Sequence, residues 1–330
     1  MTGNDYQYYI EGVLKGDRRI IAKTITLIES ALPRHHELGR KIIDRLLPYT
    51  GNSIRIGITG VPGVGKSTFI ESFGLMLLNK KHKVAVLAVD PSSTKSGGSI
   101  LADKTRMEKL SIEKMAYIRP SPSGGTLGGV ARKTREAMLI CEAAGFDVLI
   151  IETVGVGQSE TTVSSMVDFF LVLMLAGAGD QLQGIKKGIL ELADAIVINK
   201  ADGDNLEKAK MAQKEYQAAV HLFTSMKAKW KSPVLTCSAL KTTGIEKIWD
   251  TVLEHKAKLT NIGELELKRK KQAVDWMWFL IEDGLRKRFY SNPDVVKQLS
   301  KVKMNVENGI ITPTIAAMDL LFLLDNTKLV

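Results

Sequence analysis

Short apolar runs alternate with amphipathic stretches along the middle of this chain, and most runs end at glycine or polar residues. Seven runs have the length of buried strands, and they cover residues 54–58, 83–90, 115–118, 147–151, 169–175, 195–198 and 233–236. Between them lie helical patterns such as residues 69–78 and 130–144. Helices that alternate with apolar strands predict an α/β fold with a mostly parallel central sheet and right-handed crossovers. In such sheets ligands bind at the carboxyl ends of the strands.

Both ends of the chain have helical patterns instead. Residues 5–47 read as helices, with Asp17 as an N-cap and Pro33 closing the segment that Asp17 begins. Residues 264–290, 292–308 and 312–325 form three further helices, and the last is so apolar that the rest of the chain or a second copy must cover it. We therefore expect an N-terminal helical extension over residues 1–50, a nucleotide-binding domain over 51–262 and a C-terminal helical arm over 263–330.

Composition narrows the functional classes. The 330 residues include 46 Lys and Arg against 36 Asp and Glu, a formal net charge of +10. The excess is diffuse, and its densest run, residues 268–271, has no interleaved aromatic residues, so a solvated helix face is favoured over a nucleic-acid or membrane surface. Only two cysteines occur, and no signal peptide, presequence or run of 18 apolar residues is visible. We expect a soluble, cytoplasmic protein.

A glycine-rich turn follows the first apolar run. Gly60, four residues, Gly65, Lys66 and Ser67 match the P-loop, in which backbone N–H groups face phosphate oxygens. In that motif the lysine contacts the β- and γ-phosphates, and the serine hydroxyl binds Mg²⁺. The predicted phosphate-binding residues are Gly60, Val61, Pro62, Gly63, Val64, Gly65, Lys66, Ser67 and Thr68.

Carboxylates stand at the ends of two later runs. Asp90 and Glu152 each end an apolar run, and Asp103 lies in the polar loop after Asp90, which we interpret as a switch. Gly155, three residues after Glu152, has the spacing at which P-loop proteins sense the γ-phosphate with a backbone N–H. The predicted Mg²⁺ ligands, direct or through water, are Ser67, Asp90, Asp103 and Glu152.

The run at 195–198 leads into the sequence NKAD. The Asp202 carboxylate can accept both N1–H and the exocyclic amine of guanine, two donors that adenine does not present there. We expect Asn199 and Lys200 to support the loop and the base. Backbone N–H groups after the last run then meet the guanine carbonyl, from Ser238, Ala239 and Leu240. The predicted nucleotide is GTP or its product GDP.

The sequence has fewer of the residues that accelerate GTP hydrolysis than of those that bind GTP. Val156 stands where small GTPases carry their water-orienting Gln, and Gln158 lies two residues later. The free protein should therefore turn over GTP slowly. The loop at residues 177–187 carries Gln183 and Lys186 and follows a strand whose carboxyl end faces the nucleotide. The candidate catalytic residues are Lys66, Glu152, Gln158 and Lys186.

Six segments carry a family resemblance when taken in order, namely GVPGVGKST, VDPSS, ILADKTRM, ETVGVGQSE, GDQLQGIKK and NKAD. With them the chain resembles the G3E-type (SIMIBI) GTPases of the MeaB/ArgK group, whose human counterpart is the methylmalonic aciduria type A protein. The resemblance implies a P-loop GTPase domain with a C-terminal dimerisation arm, hence a homodimer.

The same resemblance implies a function. Proteins of this group gate adenosylcobalamin loading onto methylmalonyl-CoA mutase and protect or reactivate that enzyme, with GTP hydrolysis as the timing step. It also implies that Asp90, Asp103 and Glu152 surround Mg²⁺, and that the loop with Gln183 and Lys186 is a third switch that meets the mutase. The expected partner is thus methylmalonyl-CoA mutase or a related acyl-CoA mutase.

Two alternatives remain open on the residues alone. A nickel metallochaperone GTPase would need a His-rich tract or closely spaced cysteines, whereas His35 and His36 are the only adjacent pair of histidines here. A small-molecule kinase could use the same P-loop with ATP, and NKAD argues against that choice.

Overall fold

The computed structural model describes residues 5–30, 32–89, 107–120, 127–153, 159–177, 187–223 and 229–325. The chain divides into two compact units, Met1–Arg269 and Lys270–Val330. No helix in these described ranges is long and apolar enough to cross a membrane.

The first unit is built on seven parallel strands, in the order β3-β2-β4-β1-β5-β6-β7. The strands are β1 Ile54–Gly60, β2 Val84–Val89, β3 Ala116–Arg119, β4 Val148–Thr153, β5 Phe169–Leu175, β6 Ala195–Asn199 and β7 Val234–Thr236. The predicted α/β fold with a parallel sheet is confirmed. Because β1 lies in the middle of the sheet, the turn that follows it opens at the centre of the carboxyl edge.

Helices cover both faces of this sheet. They are α1 Asp5–Leu14, α2 Arg18–Glu29, α3 Pro33–Leu46, α4 Lys66–Asn79, α5 Glu108–Ser111, α6 Leu127–Ala143, α7 Ser159–Ser164, α8 Lys187–Leu192, α9 Leu206–Phe223, α10 Ile245–Asn261 and the start of α11 Glu264–Ser291. Strand β5 shows why two layers form: Phe170 and Val172 belong to one buried cluster, while Phe169 and Leu171 belong to the other. Helices α4 and α10 cover the second cluster, and α1, α2, α3, α6 and α9 cover the first.

The N-terminal helices follow the sequence closely, with one exception. The Asp17 carboxylate accepts hydrogen bonds from the amides of Arg19 and Ile20, at 2.8 and 3.1 Å, as an N-cap does. Pro33, predicted to close this helix, instead occupies the first turn of α3, because α2 already ends at Glu29. A proline is well suited to that position, since its missing N–H would have no partner there.

The second unit, from Lys270, contains the rest of α11, then α12 Pro293–Glu307 and α13 Pro313–Asp325. Ala316 and Leu320 of α13 are buried. Several large apolar side chains of this unit are exposed to solvent, namely Val274, Met277, Trp278, Ile281, Leu285, Ile315, Met318, Leu321 and Phe322.

Candidate functional site

The turn between β1 and α4 needs glycine at particular places. Gly63 and Gly65 have φ angles of +78° and +91°, a region that other residues rarely adopt. A Cβ on Gly65 would lie 3.1 Å from the Asn199 amide nitrogen, and one on Gly60 would lie 2.5 Å from the Leu173 carbonyl oxygen. The turn is therefore pressed against β5 and β6, and side chains at these positions would push it away.

Lys66 begins α4, and its ammonium group curls back over the turn. The Nζ atom donates to the carbonyl oxygen of Gly60 at 2.7 Å and approaches that of Val61 at 3.4 Å. Burial lowers the pKa of Lys66 below its usual range, while the charges of Glu152 and Glu160 act in the opposite direction. Ser67 is half-buried beside it, and Thr68 is exposed. The amide end of α4 and an ammonium group thus face one opening, which suits a phosphate chain.

Asn199 connects this turn to the loop after β7. Its amide nitrogen donates to the Val64 carbonyl oxygen at 2.8 Å, and its amide oxygen accepts from the Ala239 N–H at 3.1 Å. The Cys237 thiol lies 3.4 Å from the same oxygen. Asn199 is buried. Since each polar atom of this side chain is used, it fixes the distance between the two loops.

Two further residues of the NKAD sequence, Lys200 and Asp202, lie on the same pair of loops. Lys200 has a φ of +59° and donates from Nζ to the Gly63 carbonyl oxygen at 2.9 Å. The half-buried Asp202 accepts a hydrogen bond from the Ser238 hydroxyl, which in turn accepts from the Lys241 N–H at 3.0 Å. The carboxylate is thereby held in one orientation at the mouth of the site.

The loop after β7 is also held by a hydrogen bond from helix α4. The Ser72 hydroxyl, nearly two turns into α4, donates to the Ala239 carbonyl oxygen at 2.7 Å. Leu240, the next residue, is 76% exposed. The structure therefore brings together the predicted phosphate and guanine residues: the turn at residues 60–65, Lys66, Ser67, Thr68, Asn199, Lys200, Asp202 and residues 238–240.

Glu152 lies at the carboxyl end of β4, between β1 and β2. Its register partners are Ile58 in β1 and Ala88 in β2. The next residue, Thr153, is buried and donates from its hydroxyl to the Thr59 hydroxyl at 2.7 Å. Glu152 thus stands one strand away from the P-loop, where a carboxylate can bind the water molecules of a metal ion.

Five predicted site residues lie outside the described residues: Asp90, Asp103, Gly155, Gln158 and Lys186. Within the described part of the chain, no three His, Cys, Asp or Glu side chains are grouped so that they could hold a metal ion. The described donors that fit Mg²⁺ are the Ser67 hydroxyl and the Glu152 carboxylate. This fits a hard cation that takes most of its ligands from phosphate oxygens and water.

Sequence reasoning missed three contributors to this site. Ser72 and the Thr59–Thr153 pair are ordinary polar residues in the sequence, and only the fold brings them to these loops. Glu160, which the sequence analysis did not single out, is 3% exposed, and its charge acts to raise the pKa of Lys66. Its spacing of three residues before the buried Val163 was the available signal for one face of a helix.

Comparison with known proteins agrees with this geometry. The family model "Methylmalonyl Co-A mutase-associated GTPase MeaB" matches residues 21–294. The chain is 54% identical over 306 residues to "Probable GTPase Rv1496" of Mycobacterium tuberculosis, covering 93% of this chain and 91% of that protein. It is 48% identical over 304 residues to "GTPase ArgK" of Escherichia coli, covering 92% of each.

A mitochondrial protein and a solved structure are also similar. The mouse "Methylmalonic aciduria type A homolog" is 45% identical over 316 residues, covering 93% of this chain and 76% of that protein. A crystal structure described as an LAO/AO transport system kinase superposes with a TM-score of 0.80 at 39% identity, covering 99% of both chains. Since the family model spans most of the chain and the relatives are similar over nearly its whole length, this chain belongs to the MeaB family of methylmalonyl-CoA mutase-associated GTPases and is a GTPase.

Proposed function

We propose that this GTPase is a chaperone that gates adenosylcobalamin loading onto a B12-dependent acyl-CoA mutase, methylmalonyl-CoA mutase, and protects or reactivates that enzyme. The observation that carries the proposal is the Asn199 bridge, which joins a P-loop to a guanine-type loop in a chain of the MeaB family. Such a bridge ties the position of the base to that of the phosphates. The site is therefore suited to a GTP cycle that a partner can time.

The roles of the residues follow from their positions. Lys66 and the backbone N–H groups of residues 60–68, apart from Pro62, bind the phosphates, and Asp202 binds the guanine edge, with Ser238 orienting it. Ser67 and Glu152, together with Asp90 and Asp103, would hold Mg²⁺, whose chemistry there is to neutralise the phosphate oxygens. Gln158 and Lys186 act in hydrolysis, Lys186 from the third switch, and Gly155 senses the γ-phosphate.

The second unit supports a homodimer. Val274, Met277, Trp278, Ile281 and Leu285 follow one another at helical spacing on α11, and all are exposed. An apolar stripe of this length is costly in water and is typical of an interface. We expect a dimer in light scattering of the whole chain; a monomer at micromolar concentration would contradict this assignment.

Two alternative functions differ from this proposal in the nucleotide or the metal ligands that they need. One relative of known structure is described as a transport system kinase, and a kinase would transfer the γ-phosphate of ATP to a small acceptor. A nickel metallochaperone would need imidazole or thiolate ligands. His35 and His36 are hydrogen-bonded to Ser30, through Nδ1 at 2.8 Å and Nε2 at 3.0 Å, and thus serve the turn between α2 and α3.

The guanine assignment is tested by replacing the Asp202 carboxylate with an amide. Asp202→Asn replaces an acceptor with a donor opposite N1–H, so GTP affinity should fall by about 3 to 6 kcal/mol, for two hydrogen bonds to a charged group. Xanthosine triphosphate should become the preferred nucleotide. The matched control is Asp204→Asn, an exposed carboxylate two residues later. Fluorescence titration with GTP, ATP and xanthosine triphosphate measures both; unchanged GTP affinity in Asp202→Asn refutes the assignment.

A further inference from the structure

Most backbone N–H groups of the loop after β7 are already used within the protein. Three of the four N–H groups at residues 238–241 donate hydrogen bonds to other parts of the chain. Their acceptors are the Thr243 carbonyl oxygen at 3.0 Å for Ser238, the Asn199 side-chain oxygen at 3.1 Å for Ala239 and the Ser238 hydroxyl at 3.0 Å for Lys241. Among the residues that the structure describes, none accepts a hydrogen bond from the Leu240 N–H. The Leu240 N–H is therefore the donor in this loop that best fits a guanine carbonyl oxygen.

Ser72 holds the opposite side of the same peptide group. The Leu240 N–H shares a planar peptide unit with the Ala239 carbonyl, whose oxygen accepts from the Ser72 hydroxyl at 2.7 Å. No cis peptide bond occurs among the described residues, so this C=O and this N–H point in opposite directions. The hydroxyl that fixes the direction of the carbonyl therefore also turns the N–H away from α4. Linked hydrogen bonds polarise one another, so the bond from Ser72 also makes the N–H a better donor.

The surroundings leave this orientation to the hydrogen bond. Ala239 is 3% exposed, and burial of its side chain fixes the place of the loop without fixing the rotation of the next peptide group. Ser72 and Ala239 lie on the wall of a cavity of about 520 Å³, which is lined mainly by α4, this loop and the start of α10. The cavity gives the peptide group room to rotate. In the described part of the chain, Ser72 makes the only hydrogen bond from α4 to residues 238–243.

Helix α4 also belongs to the phosphate end of the site. It begins at Lys66, and Ser72 follows six residues later on the same helix. Because a helix is rigid over this length, the bond from Ser72 ties the donor for the base to the element that faces the phosphates. Asn199 connects the same two loops from the side of β6. The peptide group after Ala239 is thus held from two directions.

We propose that Ser72 is a positioning residue for guanine recognition, which turns the Leu240 N–H toward the 6-oxo oxygen of the base. This inference rests on the proposed function, since it assumes a guanine nucleotide with Asp202 at its N1–H and exocyclic amine. Adenine presents an amine donor where guanine has the 6-oxo acceptor, so an N–H fixed in this direction faces another donor when adenine is bound. Ser72 thereby adds a second criterion for guanine, independent of Asp202.

The test uses nucleotides that differ at one group of the base. Affinities for GDP, inosine diphosphate and 6-thio-GDP are measured by competition with a fluorescent GDP analogue, for wild type, Ser72→Val and Ser72→Thr. Inosine diphosphate lacks only the exocyclic amine, and 6-thio-GDP has sulfur, a weaker acceptor, in place of the 6-oxo oxygen. Valine and threonine have nearly the same shape, but only threonine has a hydroxyl.

The loss should depend on the 6-oxo oxygen. In Ser72→Val, affinity for GDP and for inosine diphosphate should fall by the same factor, roughly three- to tenfold, the size of one hydrogen bond. Affinity for 6-thio-GDP should fall less, so the preference for GDP over 6-thio-GDP narrows, and Ser72→Thr should restore it. The control is Thr251→Val in α10, whose hydroxyl donates to the Lys247 carbonyl oxygen at 2.8 Å within its own helix. This control should bind all three nucleotides like wild type.

Each other outcome decides against the proposal. Equal losses for the three nucleotides assign Ser72 to packing of α4, and unchanged binding in Ser72→Val, or an equal loss in Ser72→Thr, removes the role of the hydroxyl. If Ser72→Val does not fold by circular dichroism, Ser72→Ala takes its place, and failure of both to fold also overturns the proposal. Wild type that binds GDP and 6-thio-GDP equally overturns it too, whereas wild type that binds no guanine nucleotide contradicts the proposed function instead.

Discussion

Single side chains in this protein act by joining loops that are far apart in sequence. Asn199 joins the P-loop to the loop after β7, Lys200 reaches Gly63, and Ser72 holds Ala239 from α4. A change at any of these residues should therefore alter base and phosphate binding together. Asp202 is different: its proposed role is to discriminate between bases, so its replacement should change the nucleotide preference more than the stability of the fold.

The role of a residue could be predicted from the sequence only where that role depends on neighbours along the chain. The P-loop and NKAD sequence were recognisable because backbone geometry and hydrogen-bond pattern demand those residue types at fixed spacing. The parts played by Ser72 and by the Thr59–Thr153 pair were not, because each depends on a long-range contact: Ser72 meets a loop 167 residues away, and Thr59 and Thr153 are 94 residues apart in the sequence. Nothing in their neighbours along the chain encodes either contact.

At the scale of elements, periodicity located the strands well. The apolar run at residues 169–175 is strand β5, Phe169–Leu175. A strand that is buried on both faces is apolar throughout, so the ends of the apolar run mark the ends of the strand. Pro33 was assigned to the wrong helix, since proline both follows one helix and begins the next. The order of the strands, with β4 and β5 on either side of β1, could not be predicted from the sequence, because it depends on the long-range packing of the crossovers.

Buried ion pairs fasten these elements at the edge away from the nucleotide. The Glu142 carboxylate of α6 accepts from Arg55 Nε at 2.7 Å, from Arg55 Nη2 at 2.9 Å, from the Gly51 N–H at 2.9 Å and from the Ser53 hydroxyl. Arg269 similarly forms two hydrogen bonds to Asp168, at 2.8 and 2.6 Å, which fasten the start of α11 to the start of β5. These contacts hold the helices to the sheet.

Removing one partner should therefore be costly. In Arg55→Met the Glu142 carboxylate, whose side chain is 1% exposed, keeps its charge without its guanidinium, and the free energy of unfolding should fall by about 3 to 5 kcal/mol. The control is Lys41→Met, which breaks an exposed ion pair with Glu37 and should leave the free energy of unfolding nearly unchanged. Urea denaturation at pH 7 measures both; equal losses would contradict this account of the clamp.

The same variant predicts a pH dependence. Burial acts to raise the pKa of Glu142, but Arg55, Ser53 and the Gly51 N–H outweigh it and leave that pKa below its ordinary value of 4.5. A depressed pKa stabilises the fold fully above pH 4.5 and loses that contribution as pH falls through the folded-state value. The stability gap between wild type and Arg55→Met should therefore narrow as the pH falls below 4.5. A gap of the same size above and below that pH would contradict this assignment.

At the scale of the whole molecule, two features favour control by partners. The predicted nucleotide-binding residues belong to the first unit, while the second unit carries exposed apolar side chains such as Trp278 and Phe322. Exposed apolar side chains of this kind are typical of a surface that binds another protein chain. The family to which the chain belongs is itself associated with a mutase.

The measurement that tests the central claim most directly is GTP turnover by this protein with and without methylmalonyl-CoA mutase. Alone it should be slow, because Val156 occupies the position of the water-orienting Gln. Mutase should raise turnover, by up to about 10³-fold if docking supplies a missing positive charge, and Lys186→Ala should lose most of that increase while the neighbouring control Lys187→Ala keeps it. Equal turnover with and without mutase, with a control protein such as albumin for reference, would contradict the account.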